Sequence, residues 1–244
     1  MKTIGLLGGM SWESTAEYYR LINEFTRDRL GGLHSARCVL YSVDFAEIEH
    51  LQAQGRWEEA GEHLAAAAAA LRAAGADLVL ICSNTMHKVA DQVAAAVPVP
   101  LLHLADATAG AVRASGLRRV GLLGTAFTME QDFYRGRLAA GGLEVRVPDA
   151  AGRALVHRVI YEELCLGVVR EESRAGFRRV IEGLVADGAE GVVLGCTEIE
   201  LLIGAEDSPV PVFPTARLHA RAAVDAALAD DRSGVPWAAA GAPE

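Results

Sequence analysis

Two stretches of this chain carry the side chains best suited to chemistry, and they are copies of one another. Gly75-Ala76-Asp77-Leu78-Val79-Leu80-Ile81-Cys82-Ser83-Asn84-Thr85 lies over Gly188-Ala189-Glu190-Gly191-Val192-Val193-Leu194-Gly195-Cys196-Thr197-Glu198 without a gap. Ser83 and Cys196 are therefore equivalent positions, each ending an apolar run and each followed by small polar residues. A thiol is a workable proton carrier near neutrality, because its reference pKa of about 8.5 falls at a helix N-terminus. Cys196 is expected to have that setting and to act as the main acid/base, with Ser83 facing it.

A second pairing, Ile4-Gly5-Leu6-Leu7-Gly8-Gly9 with Val120-Gly121-Leu122-Leu123-Gly124-Thr125, recurs at nearly the same offset, so the chain reads as a duplicated unit. Short runs rich in Val, Ile and Leu predict strands at Thr3–Leu7, Arg37–Val43, Asp77–Cys82, Pro100–His103, Arg118–Leu123, Leu143–Val147, Gly191–Gly195 and Val210–Phe213. Helical patterns lie between them at Glu13–Leu30, Trp57–Ala74, Asp106–Ala114, Gly152–Leu166, Glu171–Ala186 and Ala216–Ala229. Continuous apolar strands alternating with helices make parallel sheets covered on both faces, an α/β fold. The expected organisation is two pseudo-symmetric lobes with the site in the cleft between them. Residues 1–104 and 210–230 form lobe one, residues 105–209 lobe two, and residues 231–244 a flexible tail rich in Pro, Gly and Ala.

Ligands bind beyond the carboxyl ends of the strands in such sheets, where Ser83-Asn84-Thr85 and Cys196-Thr197-Glu198 fall. Gly8-Gly9-Met10-Ser11 and Gly124-Thr125-Ala126-Phe127 end the other repeated strands at the same edge. A stereocentre held between Ser83 and Cys196 is addressed from both faces, which suits removal of a Cα proton on one side and its return on the other. The other candidates read as structural. Cys82 points to the opposite pleat from Ser83, Cys38 and Cys165 read as core residues, and His87 and His219 as helix-associated histidines. Glu162-Glu163 reads as a solvated helix end.

Composition excludes several classes. Acidic residues outnumber basic ones 32 to 23, giving a net charge of −9 with no basic stripe, so no nucleic-acid partner is expected. The four cysteines are scattered with no CxxC, which suggests neither a disulfide framework nor a metal site. No apolar run approaches the roughly 18 residues of a membrane span. Met1-Lys2-Thr3 leads directly into a strand, so a soluble, cytoplasmic protein is expected. Gly5-Leu6-Leu7-Gly8-Gly9-Met10 lacks the full GxGxxG spacing of a dinucleotide site.

Four motifs together resemble the aspartate/glutamate racemase family: Gly8-Gly9-Met10-Ser11-Trp12-Glu13-Ser14-Thr15, Cys82-Ser83-Asn84-Thr85-Met86-His87, Gly195-Cys196-Thr197-Glu198 and Thr128-Met129-Glu130-Gln131-Asp132-Phe133-Tyr134-Arg135. The likeness runs to about residue 229. It implies two Rossmann-like lobes, a small amino-acid substrate, no cofactor and no metal, and commonly a homodimer; the only lysines are Lys2 and Lys88. By the same resemblance Asn84, Thr85 and Thr197 hold the substrate's α-carboxylate and amino groups, with Met10, Gln52, Thr125 and Glu198 nearby.

The sequence departs from the usual pattern at Ser83, where family members more often carry a second cysteine, so this branch has a non-cysteine residue at the first catalytic position. Val43–Gln54 and Glu163–Gly167 contain no Lys or Arg for a distal carboxylate, which leaves aspartate, glutamate and neutral side chains such as homoserine open. Two alternatives stand beside the racemase reading. One is a single-cysteine decarboxylase or isomerase that protonates an enolate from Cys196 alone. The other is an amino-acid-binding protein without turnover.

Overall fold

In the computed structural model residues 1–229 are described; the tail expected at 231–244 lies outside the described residues. Every strand read from the sequence is present: β1 (Ile4–Gly8), β2 (Cys38–Ser42), β3 (Leu78–Ile81), β4 (Leu101–Leu102), β5 (Arg119–Gly124), β6 (Glu144–Arg146), β7 (Gly191–Gly195) and β8 (Val212–Pro214). They form two four-stranded parallel sheets, ordered β2-β1-β3-β4 and β6-β5-β7-β8. The register also repeats: Ile4 pairs with Leu78 in the first sheet, and Val120 with Gly191 in the second. Every residue of β1, β3 and β7 is buried, as strands with helices on both faces require.

Ten α-helices among the described residues clothe the sheets. The first five are α1 (Trp12–Leu30), α2 (Phe45–Ala53), α3 (Trp57–Ala73), α4 (Ala90–Ala95) and α5 (Leu104–Ala114). The second five are α6 (Ala126–Glu130), α7 (Asp132–Ala140), α8 (Ala150–Glu162), α9 (Glu171–Ala186) and α10 (Thr215–Leu228). No helix among the described residues is long and apolar enough to cross a membrane.

The two sheets exchange a helix. α5 follows β4 of the first sheet, yet Leu104, Ala105, Ala109 and Val112 pack against Val120, Leu122 and Val193 of the second. α10 follows β8 of the second sheet and returns the favour, placing Ala216, Ala220, Ala223 and Ala227 against Ile4, Leu6, Tyr18 and Leu21. The return to lobe one therefore starts at Thr215 and not at residue 210: β8 pairs with β7 through Val192–Val212 and stays with lobe two. A strand must satisfy its backbone within the sheet it joins, whereas the helix after it is free to cross.

At the C-terminal edge the chain runs unusually tight. Gly9 has φ +92, and a Cβ there would sit 2.2 Å from the Val43 carbonyl oxygen, so only glycine serves. Its N–H donates to Thr15 Oγ1 at 2.8 Å, fixing the turn that leads into α1.

Candidate active site

All nine residues singled out in the sequence, Met10, Gln52, Ser83, Asn84, Thr85, Thr125, Cys196, Thr197 and Glu198, line one cleft between the lobes. It encloses about 410 Å³, open space at its mouth included, which is at the small end of ligand sites. Ser83 and Cys196 enter it from β3 and β7, the equivalent strands of the two sheets.

Glu198 organises the Cys196 side. Ser11 Oγ and Ser14 Oγ donate to its Oε1 at 2.7 and 2.6 Å, while Cys196 Sγ and Thr197 Oγ1 lie 2.9 and 3.1 Å from Oε2. Ser11 caps α1, its hydroxyl accepting from Ser14 N–H, so the motif that starts the first lobe's helix also reaches across to the second lobe's carboxylate. The lobes are also joined by Ser14 Oγ with Thr197 Oγ1 at 2.5 Å and by Thr85 Oγ1 with Thr125 Oγ1 at 3.1 Å, and Asn84 Nδ2 donates to Thr215 Oγ1, at the start of the returning helix, at 3.1 Å.

The Cys196 thiol is pushed well above its ordinary pKa, by burial first and by the Glu198 charge second. This overturns the expectation of a thiolate favoured by a helix N-terminus. The segment after Cys196 is a five-residue 3₁₀ turn, Thr197–Leu201, too short to build a useful dipole, and desolvation wins. The resting thiol is protonated and donates to Glu198.

Two buried oxygens in the cleft have no hydrogen-bond partner among the described residues: Asn84 Oδ1 and Gln52 Oε1. Their orientations are fixed. Thr215 gives its own proton to Leu194 O at 2.8 Å, so it accepts from Asn84 Nδ2 and leaves Oδ1 over. Gln52 Nε2 lies 3.0 Å from Met86 Sδ, which can only accept, and so its Oε1 is left over too. An orphaned buried acceptor costs about 1–3 kcal/mol until a donor arrives.

Ser83 is chemically different from its counterpart. Its hydroxyl accepts a long bond from Met86 N–H at 3.4 Å, and among the described residues no basic side chain hydrogen-bonds to it. Behind it sits a cluster of three buried histidines, His87, His103 and His219, with His87 to His103 centroids 4.5 Å apart and His87 to His219 centroids 5.7 Å apart. Burial lowers His87 and His219 to about 3 and His103 to about 4, so all are neutral near pH 7. His87 and His219 are satisfied by structural partners, in line with their structural reading.

The cleft also contains residues that the sequence did not flag: Ser11, Phe45, Ile160, Tyr161 and Cys165. Cys165, read as a core residue, instead faces the site, because α8 ends at Glu162 and the chain tightens into a 3₁₀ turn at Leu164–Leu166. Burial raises its thiol to about 12 and that of Cys82 beyond any working range. Glu163 departs from the solvated reading: it is buried, accepts from Ser173 Oγ at 2.6 Å and lies 3.6 Å from Arg158. Its neighbour Glu162 does remain at the surface.

Comparison with known proteins agrees with this geometry. Residues 7–223 match the family described as Asp/Glu/Hydantoin racemase. A Yersinia pestis protein of known structure, proposed as an Asp/Glu racemase, is 57% identical with a TM-score of 0.88, over 93% of this chain and 100% of that one. An aspartate racemase homologue from Pyrococcus horikoshii is 38% identical with a TM-score of 0.82, over 93% and 99% of the two chains. The broad specificity amino-acid racemase RacX of Bacillus subtilis is 21% identical over 93% of this chain and 98% of its own.

Proposed function

The chain belongs to the Asp/Glu/hydantoin racemase family, and we propose that it is an amino-acid racemase working without pyridoxal phosphate, with Cys196 as its main acid/base and Ser83 at the opposing position. The observation that carries this reading is the meeting of two equivalent strand ends in one cleft, one bearing a thiol and the other a hydroxyl. Amino-acid binding then has a specific form. The orphaned oxygens of Asn84 and Gln52 accept from the substrate ammonium, close to the Glu198 carboxylate. The hydroxyls of Thr85, Thr125 and Thr197 take the α-carboxylate.

Arrival of the ammonium offsets the charge of Glu198, the second cause of the raised thiol pKa, and so favours thiolate only in the loaded site. Cys196, its proton released to solvent, then removes the Cα proton from one face. Return of a proton on the other face comes from the Ser83 side; because a serine hydroxyl is a weak acid, a water held by Ser83 shares the transfer. Enantiomers are equally stable in water, so kcat/KM is the same in both directions.

The preferred side chain is uncharged. The cleft contributes one formal charge, the anion Glu198, and none of its lining residues is Lys or Arg. A zwitterion adds no net charge, but aspartate or glutamate brings a second carboxylate among Phe45, Ile160, Tyr161 and Cys165. An unpaired buried charge costs about 3–5 kcal/mol at full burial, and even heavy discounting for the open mouth leaves at least about ten-fold in kcat/KM. Chiral chromatography of single enantiomers of homoserine, methionine, aspartate and glutamate tests it: neutral substrates should invert at least about ten-fold more efficiently. Equal or better turnover of aspartate or glutamate would refute the side-chain assignment.

A further inference from the structure

The Ser83 side lacks a strong acid, so its geometry must supply what its chemistry does not, and the histidine cluster stands directly behind it. His87 Nδ1 lies 2.7 Å from the Ser83 carbonyl oxygen, and Leu104 N–H donates to its Nε2 at 3.2 Å. An imidazole that accepts at Nε2 carries its proton on Nδ1, so the ring donates to Ser83. Leu104 is the first residue of α5, where the chain leaves the first sheet for the second. One ring thus ties the backbone of Ser83 to the first crossover.

The second crossover is tied to the same cluster. His219, on α10, packs edge-on against His87, accepts from Tyr18 Oη at 2.9 Å and donates through Nε2 to Leu102 O at 2.8 Å. His103 caps α5, its Nδ1 accepting from Ala105 N–H at 3.1 Å, and its ring packs tilted against His87. Both passages between the lobes are therefore pinned within one buried cluster, and the link from it to the cleft runs through the His87 bond to Ser83.

We propose that His87 is a positioning residue for the Ser83 face, holding the Ser83 backbone in register with the crossover so that its hydroxyl meets the Cα of a substrate seated against Cys196. The inference rests on the racemase reading and deepens it. It predicts an effect on inversion, which needs both faces, and little effect on exchange with retention, in which Cys196 alone removes and returns the proton.

Three variants separate the two ring nitrogens. Asparagine places an amide N–H near the position of Nδ1, so His87→Asn keeps the bond to Ser83 O; His87→Gln reaches toward Leu104 N–H instead, and His87→Ala loses both. In D₂O, NMR of the enantiomer deprotonated by Cys196 gives Cα deuteration with retention, while chiral chromatography of the same sample gives inversion. His87→Gln and His87→Ala should lower the ratio of inversion to retained exchange at least about ten-fold, with retained exchange within about three-fold of wild type, and His87→Asn should restore the ratio. Because both rates come from one sample, partial loss of folded protein cancels in the ratio.

A parallel fall in both rates, or an unchanged ratio in His87→Gln and His87→Ala, would overturn the positioning role while leaving the racemase reading intact. If the wild type exchanges no Cα proton from any enantiomer tested, the racemase reading fails and this inference falls with it.

Discussion

Cys196 holds its proton in the resting site, and the reason is local: a buried sulfur 2.9 Å from the Glu198 carboxylate has nowhere favourable to put a negative charge. The reactive form toward alkylating agents is the thiolate, and a raised pKa moves the appearance of thiolate to higher pH. Peptide-level mass spectrometry after iodoacetamide treatment should therefore find Cys196 labelled at pH 8 at least about ten-fold more slowly than a free thiol, with the rate still rising above pH 9. Glu198→Gln removes the charge that adds to burial, so it should speed labelling at pH 8. Labelling at the free-thiol rate, or indifference to Glu198→Gln, would contradict this picture. At this scale the sequence was informative where the repeat spoke and silent elsewhere. Ser83 and Cys196 were found because they are equivalent, and Cys165 was not, since its place in the cleft depends on where α8 ends. The pKa of Cys196 was misjudged because burial leaves no trace in the residue type.

Elements place these side chains, and the crossing helices do so most directly. α10 presents Ala216, Ala220, Ala223 and Ala227 to α1, a stripe of small residues that lets the two helices lie close, against Tyr18, Leu21, Ile22 and Phe25. Thr215, at its first turn, is the acceptor that orients Asn84. Ala220 is fully buried, so Ala220→Leu adds three carbons where there is no room, and overpacking of this kind costs about 1–3 kcal/mol. Thermal unfolding should show a lowered midpoint, together with a raised KM as Thr215 shifts away from Asn84; unchanged stability would mean that the helices are not tightly apposed. Strands were the most legible elements, each of the eight overlapping one of the runs read from the sequence. The helices missed were α2, α4, α6 and α7, all nine residues or shorter, where periodicity has too few turns to register. α2 did leave a signal, since Asp44 caps it by accepting from Ala46 N–H at 3.0 Å.

The whole molecule is two copies of one sheet that trade their last helices, and that exchange makes a cleft between duplicates into a site. The repeat in the sequence foretold the duplication of the sheet, and the equivalent strand ends carrying Ser83 and Cys196 line one cleft; the return crossover was misplaced, because which sheet a short final strand joins is decided by backbone pairing and not by composition. The duplication has diverged where chemistry is concerned, with thiol and carboxylate on one side and a hydroxyl backed by neutral histidines on the other. The most direct test of that account is Cα deuteration of single homoserine enantiomers in D₂O, followed by NMR for wild type and Cys196→Ala. The account predicts deuterium at Cα with accumulation of the opposite enantiomer in the wild type, and loss of both by at least about a hundred-fold in Cys196→Ala. Undiminished exchange in Cys196→Ala would contradict the central claim that this thiol moves the proton.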